Sequence, residues 1–153
     1  MKKIVILVLS LVLAAVLVGC SEKPKDVNLK NVMSEIESTV SLDNMTDLSM
    51  EDLLDYYGIV ENDVVQFVAK VNTSGVKSDE IVIIQAKDSD ATARVKEKLD
   101  ARYQSKINEN TNYNTDELAV VKKGKVNVNG DYVSMIVSSE VDKITEIYNN
   151  AFK

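Results

Sequence analysis

The sequence predicts an α+β domain. It is an antiparallel sheet of roughly four strands with helices packed on one face, in the order α-α-ββα-ββα, preceded by a signal peptide. Three observations carry this. Runs rich in β-branched residues and of strand length occupy residues 64–71, 80–86 and 132–137. Apolar residues recur at helical spacing over residues 28–40, 91–107 and 141–152. Asn129-Gly130, just ahead of the last strand run, is a two-residue hairpin signal of type I′.

The chain opens with Lys2 and Lys3, followed by an apolar run from Ile4 to Val18 broken only by Ser10. That run of 15 residues is short for a spanning helix, which needs about 20. A positive start, a short apolar run and a small residue at its end predict a signal peptide over residues 1–19. The closing Leu17-Val18-Gly19-Cys20 resembles the lipobox of bacterial lipoproteins. The resemblance implies that the Cys20 thiol receives a diacylglycerol group and that signal peptidase II cuts just before it. Residues 20–27, with the one Pro at position 24, then read as a lipidated Cys and a polar tether, and residues 28–153 as a single α+β domain.

Within the domain, Leu29, Val32, Met33, Ile36 and Val40 mark a first helix, and residues 41–48 read as a loop. Ser49 is placed to cap a short second helix that Gly58 stops. Two strands follow around the turn at Gly75, and the apolar core of the second, Ile81-Val82-Ile83-Ile84, predicts a central position covered on both faces. Asp88 and Asp90 suit the N-terminus of a third helix, whose stripe runs through Val95, Leu99 and Tyr103 to Ile107 and ends in the polar stretch 108–115. Leu118 to Val121 is expected to begin a third strand that continues past Gly124 to Asn127. The hairpin leads to the fourth strand. Ser139 with Asp142 resembles a capping box for the last helix. The third and last helices are expected to cover one face together, with the acidic N-terminal helices at an edge or beneath the sheet.

Composition excludes several chemistries. The chain has 153 residues, 18 Lys+Arg, 24 Asp+Glu, no His, no Trp and one Cys, for a net charge of −6. Without His there is no Ser-His-Asp or Cys-His catalysis, and one Cys gives neither an internal disulfide nor a Cys-rich zinc site. The acidic balance argues against nucleic acid, which is bound through Lys and Arg on phosphates. The acids are unevenly spread: residues 31–69 hold nine and no Lys or Arg. That asymmetry reads as a face for a basic partner or for loosely held Ca²⁺, set against a plain solvated face. Loops counted from Asp43 or Asp88 fail the spacing of an EF-hand, and no cofactor or metal is expected.

Candidate chemistry is sparse. Ser74-Gly75-Val76-Lys77 matches the Ser-x-x-Lys signature, but it lies in a turn and lacks the companion motifs. Lys122-Lys123-Gly124-Lys125 is the densest basic cluster and reads as a guard on an edge strand, or as a contact for anionic headgroups. Tyr56-Tyr57 offers either a partner hot spot or one core residue.

The pattern Leu54-Asp55-Tyr56-Tyr57-Gly58-Ile59, Asp63-Val64, Ser78-Asp79-Glu80-Ile81 through Ala86-Lys87-Asp88, then Val95-Lys96, Leu99 and Arg102, and last Gly130-Asp131-Tyr132-Val133 through Val137-Ser138, resembles the small bacterial lipoproteins of domain of unknown function 4358, found mostly in Firmicutes. The resemblance covers roughly residues 45–152. It implies a lipobox ahead of one domain and brings no catalytic residues.

Two functions are carried forward. The first is a lipid-anchored, extracytoplasmic, non-catalytic binding module at the cell envelope. It is held to the cell membrane by the acyl chains on Cys20 and meets an envelope protein or wall component, with Asp52, Asp55 and Tyr57 as candidate contacts. The alternative is a small carboxylate-dependent envelope hydrolase with convergent acids of raised pKa.

Overall fold

The computed structural model describes residues 26–153; the segment expected as a signal peptide, the lipobox-like motif with Cys20 and the expected tether up to residue 25 lie outside the described residues. The chain runs α1 (Leu29–Thr39), β1 (Met45–Asp47), α2 (Met50–Tyr57), a 3-10 turn (Glu61–Asp63), β2 (Val64–Asn72), β3 (Glu80–Ala86), α3 (Ser89–Tyr113), α4 (Thr115–Lys123), β4 (Lys125–Asn129), β5 (Tyr132–Val137) and α5 (Val141–Asn150). The expected class holds. The sheet is open, antiparallel throughout, and ordered β1-β2-β3-β5-β4, five strands in all.

β3 lies at the centre, paired with β2 on one side and β5 on the other. Its side chains alternate between two cores, as a pleated strand requires. Ile81 and Ile83 join Tyr132 and Ile136 on one face, beneath Leu29 and Ile36 of α1 and Ile144 and Tyr148 of α5. Val82 and Ile84 join Val133 and Met135 on the other, beneath Leu53 of α2 and Val95 and Leu99 of α3. The helices therefore cover both faces, which corrects the expectation of one. The cause is in the strands: every residue of β5 is buried, as is every residue of β3 except Gln85. Such strands need a cover on each side. The stripes of α3 and α5 fix that each helix packs, and they carry no mark of which face.

Four local expectations are also corrected. The segment expected as the start of a strand, residues 118–121, belongs to α4. Asn114 ends α3 through its N–H on Asn110 O (3.0 Å) and caps α4 by accepting from Glu117 N–H (3.3 Å). Asp116 and Glu117 in the first turn of α4 and Lys122 and Lys123 in its last suit the helix dipole. Residues 41–48, expected as loop, contain the three-residue strand β1. At the β4–β5 turn Gly130 has φ +58° and Asp131 has no positive φ, so the hairpin fits the II′ class, with Gly first, and not the expected I′. The capping box expected at Ser139 is also absent: α5 starts after Glu140, whose N–H donates to Ser138 Oγ at 3.1 Å.

Candidate functional site

Of the three candidate contact residues, two are at the surface. Asp55 is exposed; Asp52 is half-buried and accepts from Ser49 N–H and Oγ, both at 2.7 Å, in the capping box of α2. Those bonds hold its carboxyl below the usual carboxylate range. Tyr57 is only 7% exposed, so it is no part of a surface patch, and Tyr56 is the exposed member of the pair. The reason is Glu80, a fully buried carboxylate at the start of β3. Tyr57 Oη donates to Glu80 Oε1 at 2.8 Å. Arg102 of α3 donates to both carboxylate oxygens, and Lys106, one turn further along α3, donates to Oε2 at 2.7 Å. Burial pushes the Glu80 carboxyl up, but the two cations outweigh it and hold it below its usual range. Burial and the adjacent carboxylate push the Tyr57 phenol far above its usual range. This cluster fastens α2 and α3 to the sheet.

The surface left open lies at the other side of β2. β1 pairs only with Lys70, Val71 and Asn72, and Leu48 N–H adds one bond to Ala69 O at 2.9 Å. Beyond that point no strand among the described residues flanks residues 64–68 of β2. This free stretch reads Val-Val-Gln-Phe-Val, with no charge and no Pro. Val65 sits in a bulge and is 59% exposed. Gln66 turns to the α1 face, where its amide accepts from Leu29 N–H (3.0 Å) and donates to Val27 O (2.8 Å). Hollows of about 440 and 300 Å³ flank Phe67, the first reaching Met33 and Leu48 and the second Met50 and Glu61.

The opposite edge is built differently. β4 begins with Lys125 and alternates valine with asparagine. Of the basic cluster, only Lys125 guards that edge; Lys122 and Lys123 close α4.

Three acids of residues 31–69 border the β2 edge: Glu37 and Asp47 line one hollow and Glu61 the other, each together with Lys30. Lys70, buried at 9% side-chain exposure, binds Glu37 and Asp47 at 2.8 Å each. Burial lowers its ammonium pKa, but the two carboxylates raise it more. Arg94 grips Asp63 through both nitrogens and, against a smaller upward push from burial, holds its carboxyl below the usual range. Glu35, Asp43, Glu51, Asp55 and Glu61 are exposed and form no ion pair among the described residues.

A family model described as a domain of unknown function (DUF4358) matches residues 38–138. The chain belongs to this family. The match takes in the motifs read from residues 45 to 138, the Glu80 cluster and the whole of the free β2 edge. No curated protein and no solved structure matches the chain.

The DUF4358 domain also places the Ser-x-x-Lys tetrad. Ser74 Oγ donates to Asn72 Oδ1 at 2.5 Å and accepts from the Val76 and Lys77 N–H groups at 3.3 Å, so it builds the β2–β3 turn. Lys77 Nζ donates to Glu117 Oε1 at 3.0 Å, which raises its pKa, the opposite of what a lysine base needs. Both residues line a hollow of about 380 Å³ at that end of the sheet. Glu117 also accepts Ser78 N–H at 2.7 Å, stapling the turn to α4. Among the described residues, no three His, Cys, Asp or Glu side chains gather as metal ligands, and no helix is long and apolar enough to cross a membrane.

The sequence reading missed the Glu80 cluster and the open edge. Arg102 and Lys106, four residues apart, share a helix face and were a legible signal. The edge had a weaker one: five uncharged residues in a strand framed by acids.

Proposed function

We propose that this chain is a lipid-anchored extracytoplasmic lipoprotein whose DUF4358 domain is a non-catalytic binding module at the cell envelope. The observation that carries binding is the open edge of β2, an uncharged stretch of five residues with no strand beside it among the described residues and a hollow on either side of Phe67. Edges of that kind are usually covered, shortened or charged, and the β4 edge of the same sheet is. The anchor rests on Leu17-Val18-Gly19-Cys20 behind a short apolar run. Two acyl chains on Cys20 suffice for stable attachment, at about 0.8 kcal/mol for each buried CH₂. A carboxylate hydrolase asks for acids with raised pKa. The carboxyls that move, Asp52, Asp63 and Glu80, move down, and each is engaged in a cap or ion pair, which weighs toward binding.

Cell fractionation tests the anchor. The wild-type chain sediments with membranes and carries a diacylated N-terminal Cys by mass spectrometry, and Cys20→Ser abolishes both. Unchanged processing and partition of Cys20→Ser overturns it. In crosslinked envelopes, the wild-type chain retains a partner that Asp52→Asn/Asp55→Asn recovers less well; equal recovery removes these acids from the contact.

A further inference from the structure

We propose that the free edge of β2 takes up an extended, basic peptide segment of a partner protein as an added antiparallel or parallel strand. The inference rests on the binding-module reading above and names the partner's chemistry.

Backbone geometry supplies the template. Leu48 N–H reaches Ala69 O from the outer side, and strand alternation sends the N–H and C=O of Phe67 the same way. The open stretch of five residues is about 17 Å long, enough for a short added strand. An added strand sends alternate side chains to opposite faces. The two hollows beside Phe67 receive them; Lys30 of α1 borders both, and one reaches Met33 of α1 and the other Met50 at the start of α2.

Charge selects the occupant. The nine acids of residues 31–69 outnumber the cations beside or paired with them, Lys30, Lys70, Lys87, Arg94 and Lys98, by four. Glu61 borders the hollow beside Val65 and forms no ion pair among the described residues. A basic segment is drawn to this rim and loses nothing by leaving the strand itself uncharged. A second copy of this chain is the wrong occupant. Symmetric edge-to-edge pairing sets each acidic segment against its own duplicate, and like charges oppose it.

The test uses the full mature chain in detergent micelles and three fluorescent probes. The first is the peptide Lys-Val-Lys-Val-Lys-Val-Lys. The second is the same peptide with alternate amides N-methylated, which keeps the charge and removes strand donors. The third is Glu-Val-Glu-Val-Glu-Val-Glu. Anisotropy is expected to show binding of the first, at least about tenfold weaker binding of the second, and none of the third. Val65→Lys weakens the first by about tenfold or more, and Val128→Lys on the β4 edge leaves it unchanged. Circular dichroism and urea midpoints confirm that each variant is folded. Glu61→Lys, on the surface beside Val65, gives a second weakening should Val65→Lys fail to fold.

Equal binding of the methylated peptide shows charge attraction without strand pairing and overturns the inference. So does acidic-peptide binding, wild-type affinity of both Val65→Lys and Glu61→Lys, or dimerisation that Val65→Lys abolishes. If no peptide binds while crosslinked envelopes still yield a partner, the basic strand is wrong and the wider binding reading stands. If no partner is recovered either, both fall.

Discussion

Arg102 closes both of its donor edges on one carboxylate: Nε lies 3.0 Å from Glu80 Oε1 and Nη2 lies 2.8 Å from Oε2. With Tyr57 and Lys106 added, a carboxylate with no solvent exposure receives four donors from two helices. One anion and two cations leave the cluster with an excess positive charge, so the anion holds the arrangement together. Low local dielectric strengthens each of these bonds and makes any missing member costly.

Glu80→Ala is therefore expected to destabilise the domain by about 3–5 kcal/mol, since it leaves Arg102 and Lys106 facing each other without an anion. Replacing all four members with apolar residues (Glu80→Leu, Arg102→Met, Lys106→Met, Tyr57→Phe) should recover most of that loss, since no buried donor is left without an acceptor. Urea denaturation of both variants checks this. An equal loss in the two would show that the cluster matters for shape and not for charge.

Acid stability follows from the same carboxylate. Glu80 and Asp63 have folded pKa values below their ordinary 4.5 and 3.8. A depressed carboxyl contributes stability that is fully present above its unfolded pKa and disappears as pH falls through the folded one. Urea midpoints should stay level from pH 7 to about 5 and fall below about 4.5. Glu80→Gln, which cannot titrate, should start lower and fall less. A parallel fall in the two proteins would remove Glu80 as the source.

The adjacent tyrosines should part company. Tyr57→Phe removes a donor to a buried charge and should cost about 1.5–3 kcal/mol. Tyr56→Ala, on an exposed side chain, should stay within about 0.5 kcal/mol. Thermal melts of the two variants compare them directly. A larger loss at Tyr56 would reverse the assignment of core and surface.

These contrasts show what the sequence carries. β3 was legible to the residue, because Ile81-Val82-Ile83-Ile84 is apolar on both faces and the run is bounded by polar turns. α2 was legible from its Ser49 cap and Gly58. α4 was not: Leu118-Ala119-Val120-Val121 has strand composition, and the balance was tipped by flanks, the Asn114 cap and the Lys122-Lys123 end. β1 exists only because Asn72 and Lys70 offer it a partner. Tyr57 read as surface or core until Glu80, 23 residues later, placed it inside. The open edge depends on β1 stopping at Asp47, a tertiary fact that no local pattern encodes.

Two glycines should respond for different reasons. A Cβ on Gly124 would lie 2.6 Å from Ile136 O, a backbone atom, so Gly124→Ala must shift the corner between α4 and β4. Tyr103 Oη, 2.7 Å from Gly124 O, holds that corner in place. Gly75 has φ +75° with open space around it, so Gly75→Ala carries only conformational strain, about 1–2 kcal/mol. Calorimetry should show the larger loss at Gly124. Equal losses would mean that the corner yields freely.

The bond from Val27 N–H to Tyr132 Oη, 2.9 Å long, fixes where the chain leaves the sheet. That exit is at the end holding Gln66, Gln85 and the Gly130 turn. Under the proposed lipidation, six residue steps join Asp26 to Cys20, a leash no longer than about 20 Å. The body would then be confined to a thin layer above the headgroups. Because the open stretch of β2 begins at this same end, whatever docks there would have to reach down into that layer, which favours neighbours rooted in the same bilayer over molecules passing at a distance.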